Sequence, residues 1–405
     1  MNARVHLNVT VHYLLLSRPE GKEEPPPMIW IAIRMLTGDR QKFFGLVFGI
    51  AFSTLLITQQ LTIFVNLLER GASAVYDIRT NDIWVMDKVS RTPDVAYPMP
   101  STALDRVRGV PGVKWAVPHL RAGATIRTPE GDLEGVTVIG VDDTTLIGLP
   151  QNMIEGDRAL LAAPDTVFID DVGAIRLFPP GEDFIGAELE LNDRRAVIRG
   201  VTDSIPTFTS QVTLTTRYSN ALGYVPGARN RLSFILVKAN DGQDVQALVD
   251  RIEEQTGLRA RTRDQFARDG IDFIIENTGI PLNFGITVAL GFVVGIAIVG
   301  LTFSLFIRDN IKQFGALKAI GVHNGKIRAM VAAQAAMVGL IGYGLGLLGA
   351  TIFIEAFAGD PTFKGFYTPW QIPLLSFISV AIIIALTGWV ALRGVLKTEP
   401  AAVFR

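Results

Sequence analysis

The chain has 405 residues, 49% of them hydrophobic, a mean hydropathy of +0.33 and a formal net charge of -1. That is too apolar for a wholly water-soluble protein, and without a basic excess nucleic acid is excluded as a partner. There is no cysteine, which excludes disulfides, thiolate metal sites and a cysteine nucleophile.

His6, His12, His119 and His323 never stand at ligand spacing. They read as isolated surface residues, and no metal is assigned. Residues 1–27 lack a compact apolar core followed by a small-residue cleavage site, so they are not a secretory signal. They close on Glu23, Glu24, Pro25, Pro26 and Pro27, a run that favours an extended, solvated chain. The segment is predicted to be a disordered leader, with Met28 opening the pattern of a protein start.

Residues 28–68 are predicted to hold an amphipathic segment and a first membrane-spanning helix. Crossing the hydrocarbon core takes about 20 apolar residues, because each helical residue advances only about 1.5 Å. Phe43 to Leu68 carries no charge, but Ser53, Thr54, Thr58, Gln59, Gln60 and Asn66 make its second half polar. That face is expected to pack against other helices, with Gln59 and Gln60 finding hydrogen-bond partners in the bundle.

From 69 to 276 the pattern changes to short β-branched runs and turn residues, which predicts an α+β domain. Strands are expected at Asp82–Met86, Val136–Val141 and Leu232–Val237. Turns are expected at Thr128, Pro129, Glu130, Gly131 and Asp132 and at Asn192–Asp193. Val245, Leu248, Val249 and Ile252 recur at i, i+3, i+4, i+7 and predict a helix with one buried face. Ser73 and Ser204 lack a G-x-S-x-G setting. Asp142 with Asp143, and Asp170 with Asp171, read as turn and surface carboxylates rather than acid/base pairs.

Three further spans are predicted at 277–307, 329–354 and 372–392. The third helix is glycine-rich, and Gly339, Gly342 and Gly346 are expected to admit a neighbouring helix closely. Lysine and arginine crowd one side of the membrane: Arg34, Arg40 and Lys42, then Arg308, Lys312, Lys318, Lys326 and Arg328 in the loop 308–328, then Arg393, Lys397 and Arg405 in the tail 393–405. The loop 355–371 sets only Lys364 against Glu355 and Asp360. Positive charge marks the cytoplasmic side, so both termini are expected inside and 69–276 outside.

The segment RDNIKQFGALKAIG, Arg308 to Gly321, spaces Ile311, Phe314, Leu317 and Ile320 regularly, as a short basic helix at a membrane surface would. Together with WIAIRMLTGDRQKFFGLVFGIAF from Trp30, VRGVPGVKWAVP from Val107, VTVIGVD from Val136 and the closing LKTEPAAVFR, it makes the chain after Met28 resemble the FtsX/MacB-like permeases of ABC transporters, and within them the DevC type. The resemblance implies an α-helical protein of the bacterial inner membrane. Its four transmembrane helices would stand one plus three around a large α+β extracytoplasmic domain of the MacB periplasmic-core type.

It further implies that the Arg308–Gly321 segment is a coupling helix docked into a separate cytoplasmic ABC ATPase. Arg308, Lys312, Phe314, Gly315, Leu317, Lys318, Ala319 and Gly321 would make the contact, with Gly315 where the ATPase backbone approaches. The chain has no G-x-x-x-x-G-K-[ST] phosphate loop, so it is expected to be no enzyme itself and to bind no cofactor. ATP and Mg would belong to the partner. A homodimer with two ATPases, a membrane fusion adaptor and a TolC-like outer-membrane channel are the implied assembly. The implied work is mechanotransmission for export of a lipid, glycolipid, peptide or small amphiphile. The alternative is an FtsX-like regulator that activates a cell-wall hydrolase. Gln313 stands where relatives commonly have an acidic residue, and Gln334 and Ala335 stand where a glutamate is common, which weakens any charge-based coupling.

Overall fold

The computed structural model describes residues 28–397, apart from 129–130, 180, 208–211, 226, 228–230 and 358. The expected leader, Pro129 and Glu130 of one expected turn, and the tail from 398 onward lie outside the described residues. In chain order the helices are α1 (Met28–Gly38), α2 (Arg40–Tyr76), α3 (Thr102–Arg108), α4 (Asp171–Leu177), α5 (Tyr218–Tyr224), α6 (Val245–Thr256), α7 (Arg263–Asn277), α8 (Ile280–Asp309), α9 (Ile311–Ala319), α10 (Asn324–Ala356) and α11 (Gln371–Lys397). Among the described residues α2, α8, α10 and α11 are long and apolar enough to cross a membrane. With 37 residues, α2 is roughly 55 Å long against a hydrocarbon core of about 30 Å. A good part of it must therefore stand outside lipid.

The chain folds into two compact units. Of the described residues, one holds 28–53, Val293–Leu345 and 378–397. Its helices interlock where side chains are missing. A Cβ at Gly342 would stand 2.7 Å from Ile50 of α2, and one at Gly339 only 2.2 Å from Ile384 of α11. These two glycines of the expected packing set therefore permit close approach of two different helices to α10. Gln334 is buried and donates to the Ala32 carbonyl at 2.7 Å, which fixes α1 on α10.

The other unit holds Thr54–Phe292 and Gly346–Phe377. Gly346 is buried there, and Gly349 is close enough to Leu55 that a Cβ would meet it at 2.8 Å. Gln59 and Gln60 are only half-buried, whereas Thr58, Thr62 and Asn66 are buried. The amide that ties α2 to other elements is Asn66, described below.

The strands of this unit are β1 (Ile83–Met86), β2 (Met99–Pro100), β3 (Val113–Arg127), β4 (Leu133–Val141), β5 (Met153–Glu155), β6 (Thr166–Asp170), β7 (Glu188–Leu191), β8 (Arg194–Thr202), β9 (Thr213–Arg217), β10 (Arg231–Leu232), β11 (Phe234–Ala239) and β12 (Arg259–Thr262). One sheet runs β12-β1-β11-β3-β4-β9-β6-β8-β5, with β7 beside β3 and β8. Strand β3 belongs to two halves of it. Up to His119 it pairs with β11, and from Leu120 onward with β4. Each half buries its own core, the first against α3 and α6 and the second around Leu120, Ile126, Val138, Ile169 and Ile198.

The local signals act as their chemistry dictates. Asn192 and Asp193 both take positive φ (46° and 61°) between β7 and β8, the two-residue turn whose twist suits a hairpin. Helix α6 opens on Asp244, which accepts from the Gln246 and Ala247 amides, closes on Gly257 at φ 68°, and buries Leu248, Val249 and Ile252. The expected strand from Leu232 is interrupted at Ser233. The hydroxyl of that residue accepts from the Arg121 amide and donates to the Arg121 carbonyl, both at 3.0 Å, so Leu232 pairs with β2 instead.

Helices α2 and α7 carry the domain. Ala72, Val75 and Ile78 of α2 pack with Trp84, Phe234, Phe266 and Ala267 in one core. The two helices meet at Gly71 and Gly270, where a Cβ on Gly270 would lie 2.2 Å from the Gly71 carbonyl oxygen. Backbone cannot swing aside as a side chain can. Gly270→Ala is therefore expected to cost about 1–3 kcal/mol and to lower the thermal midpoint of the detergent-solubilised chain. Gly279→Ala, whose Cβ meets nothing within 4 Å, should leave it unchanged; an equal loss in both would refute the clash.

Candidate functional site

The loop between α8 and α10 is a built surface rather than a slack connection. Asn310 breaks the helix after Asp309, and its side-chain amide donates to the Phe306 carbonyl at 2.8 Å. Helix α9 then runs to Ala319 and stops on Gly321 at φ 92°. The Gly321 amide donates to the Lys318 carbonyl and the Val322 amide to the Leu317 carbonyl, both at 3.0 Å. This is the Schellman closure, which needs a left-handed residue and so selects glycine.

The eight residues expected at the contact fall into three groups. Phe314 is 1% exposed and Gly315 is buried, so both face the chain's own helices and seat α9. Arg308, Lys312, Ala319 and Gly321 are exposed, while Leu317 and Lys318 are half-buried. Ile320, beyond the end of α9, is 78% exposed. An isolated aliphatic knob among cations is what a protein partner can desolvate.

Lys42, read from the sequence only as a positive charge, has a specific job. Its ammonium bridges Asp39 and Asp309, each at 2.5 Å, tying the start of α2 to the end of α8. No motif announces such a pair, since Asp309 lies far from Lys42 in sequence. Two exposed tryptophans carry arginines over their rings: Arg34 lies 4.9 Å from Trp30 and Arg393 3.5 Å from Trp389. Aromatic and cationic side chains of this kind favour the membrane–water interface.

Among the described residues of the large domain the titratable groups do not assemble into a catalytic constellation. His119 is not on the surface as expected but buried, edge-on to Trp84 at 5.5 Å. Burial, assisted by the Arg121 charge, pushes it down to about 3, so it is neutral at pH 7. Arg121 itself pairs with Asp94 at 3.0 Å, their side chains 5% and 6% exposed. Asp142 is a turn carboxylate: burial opposes its ionised form, but bonds from Thr145 and Thr144 outweigh that and hold it below its usual range.

Asp170 also departs from the surface expectation. It ends β6 inside the domain, its carboxylate accepting from the Thr213 amide at 2.7 Å, and burial raises it to about 7. Burial likewise raises Asp77 to about 7, against the pull of Arg121. A groove of about 690 Å³ includes Lys88, Arg91, Glu253, Arg259, Arg261 and Asp269. Its walls are largely neutralised internally, through Arg259–Asp269 at 2.6 Å and Arg261–Glu253 at 3.0 Å. Among the described residues no group of three or more His, Asp or Glu is placed to hold a metal ion.

Comparison with known proteins supplies the context. The MacB-like periplasmic core domain family matches residues 43–255, more than half of the chain, and the FtsX-like permease C-terminal family matches 285–400. A probable syringafactin export ATP-binding/permease protein of Pseudomonas syringae is 24% identical over 306 residues, 70% of this chain and 45% of that one. The macrolide export ATP-binding/permease protein MacB of Agrobacterium fabrum is 25% identical over 278 residues, 65% of this chain and 42% of that one. The chain thus spans less than half the length of these relatives. The crystal structure of the periplasmic region of MacB from Actinobacillus actinomycetemcomitans matches 50% of this chain and 96% of that one, at 16% identity and a TM-score of 0.35.

The raised carboxyls give a pH signature. For Asp170 and Asp77 the folded value of about 7 lies above the ordinary 3.8, so between those limits the folded state holds protons that the unfolded chain has released. Their contribution is best below pH 4 and is lost as pH rises to 7. Asp170→Asn, which keeps an acceptor for the Thr213 amide, should flatten the fall of the thermal midpoint between pH 4 and 7. An unchanged pH slope would contradict this assignment.

Proposed function

The chain belongs to the FtsX-like permeases with a MacB-like periplasmic core domain, and on that premise we propose that it is the permease subunit of an ABC-type exporter driven by an ATPase docked on α9. The observation that carries this reading is the seating of α9: Phe314 and Gly315 inward, Lys312 outward, and Ile320 standing free beyond the helix. These 405 residues hold no phosphate loop, and ATP and Mg are assigned to the ATPase. Positive charge in the α8–α10 loop and at both ends supports placing them in the cytoplasm and the large domain outside the inner membrane.

Work then passes by mechanotransmission. ATP binding moves the ATPase, α9 moves with it because Phe314 is lodged in the bundle, and α8 and α2 carry the displacement to the periplasmic core. Such a device needs two states of the protein that the partner binds unequally. Relatives named for syringafactin and macrolide export support the outward direction. The cargo is assigned to the lipids, glycolipids, peptides and small amphiphiles. Two copies with two ATPases form the unit, and a membrane fusion adaptor with a TolC-like channel completes the path.

The test is loss of the partner without loss of the fold. Ile320→Asp or Lys312→Glu, both at exposed positions, should reduce recovery of an ATPase co-purifying from native membranes by about tenfold or more, equivalent to about 1.4 kcal/mol. The thermal midpoint should stay the same. Normal recovery with stimulated hydrolysis in both variants would sink the docking assignment.

A further inference from the structure

The loop between α10 and α11 is an ordered strap. Its 3-10 turn, Pro361–Phe363, is capped by Asp360, which accepts from the Thr362 amide at 2.7 Å. Phe363 stacks its edge against Phe366 at 5.1 Å and also meets Phe357, next to the end of α10, at 5.3 Å. The strap thus carries a small aromatic core of its own.

One side of the strap is fastened to α2. The Asn66 side chain makes a two-bond clasp with the Tyr367 backbone, donating to its carbonyl at 2.7 Å and accepting from its amide at 3.0 Å. The Tyr367 hydroxyl donates to Glu69 at 2.8 Å. Arg70, buried, donates to the Thr362 carbonyl at 2.5 Å and lies 4.8 Å over the Phe366 ring. A cation held against both a carbonyl and an aromatic face is strongly oriented.

The charged link from the other side to the second half of the sheet is Lys364. Lys364 donates to Asp171 at the start of α4, to Asp203 at 2.8 Å and to the Ser204 carbonyl at 2.9 Å. All three ammonium protons are thereby used. Among the described residues no other ion pair joins the strap to that half. Neighbouring contacts are Asp77, whose carboxyl accepts from the Ile205 amide, Ser73 with the Pro206 carbonyl at 3.5 Å, and Gly365 beside Ile205.

The first half of the sheet is held by α2 and α7, whereas the second half continues from it through β3, which changes partners between His119 and Leu120. We infer that Lys364 is a latch by which the α10–α11 strap fixes the second half of the periplasmic core against α2, so that displacement of α10 and α11 swings that half about β3. The geometry suits release: the ammonium is partly exposed, at 22% of its side chain, and water can replace its partners. The inference needs no docked ATPase, so it stands or falls separately from the exporter reading.

Hydrogen exchange on the full chain in lipid nanodiscs tests it. Lys364→Ala should speed exchange of the amides at 203–205 and 364–367 by tenfold or more while leaving β1 and β11 unchanged, and Lys364→Arg should retain most of the protection. No change in Lys364→Ala would overturn the latch, as would an equal rise in β1 and β11, which would mark Lys364 as a residue of general stability.

Discussion

At Gly71 and Gly270 two helix backbones touch, and the periplasmic core is held by that contact. A carbonyl of α2 occupies the space where any other residue at 270 would carry its Cβ. Helix α2 continues unbroken from Arg40 to Tyr76, held by its intrahelical hydrogen bonds. Packing of Ala72, Val75 and Ile78 against Trp84, Phe234 and Phe266 then makes the helix part of the first half of the sheet. Movement of α2 must move that half.

The remaining connections read as additions to this helix. Lys42 binds its beginning to the end of α8, and Asn66 and Arg70 bind its outer stretch to the strap. Ion pairs of this kind contribute little to stability when exposed, but they choose one geometry among those that apolar contact alone permits. Lys364 extends the same logic to the second half of the sheet. Two halves that share one long strand and are anchored differently are the element on which the proposed transmission acts.

Much of this was legible in sequence because it obeys local rules. Length and the missing charges identified the spanning helices, alternating β-branched runs identified β1 and β4, and Asn192–Asp193 announced its hairpin. The regular spacing of Ile311, Phe314 and Leu317 announced the short helix α9. What escaped are pairings set by folding alone. Periodicity could not say that Phe314 points inward while Ile320 points out. His119 and Asp170 looked like surface residues because a polar side chain gives no sign that apolar neighbours from distant strands will cover it. Gln59 and Gln60 drew attention as the larger amides, yet Asn66 is the one that meets a backbone of opposite need. Lys364 read only as a lone charge in an outer loop, since its three acceptors lie more than 150 residues away in sequence.

On the proposed mechanism, work done at α9 reaches the periplasmic core and changes the relation of its two halves. The most direct measurement is the distance between spin labels on Glu182→Cys and Asp250→Cys, exposed positions in the second and first halves, in this otherwise cysteine-free chain purified with its ATPase in nanodiscs. Electron–electron double resonance should show the distance distribution shift when ATP is added, and the shift should vanish in Ile320→Asp. A distribution that stays fixed while ATP is hydrolysed would contradict the account.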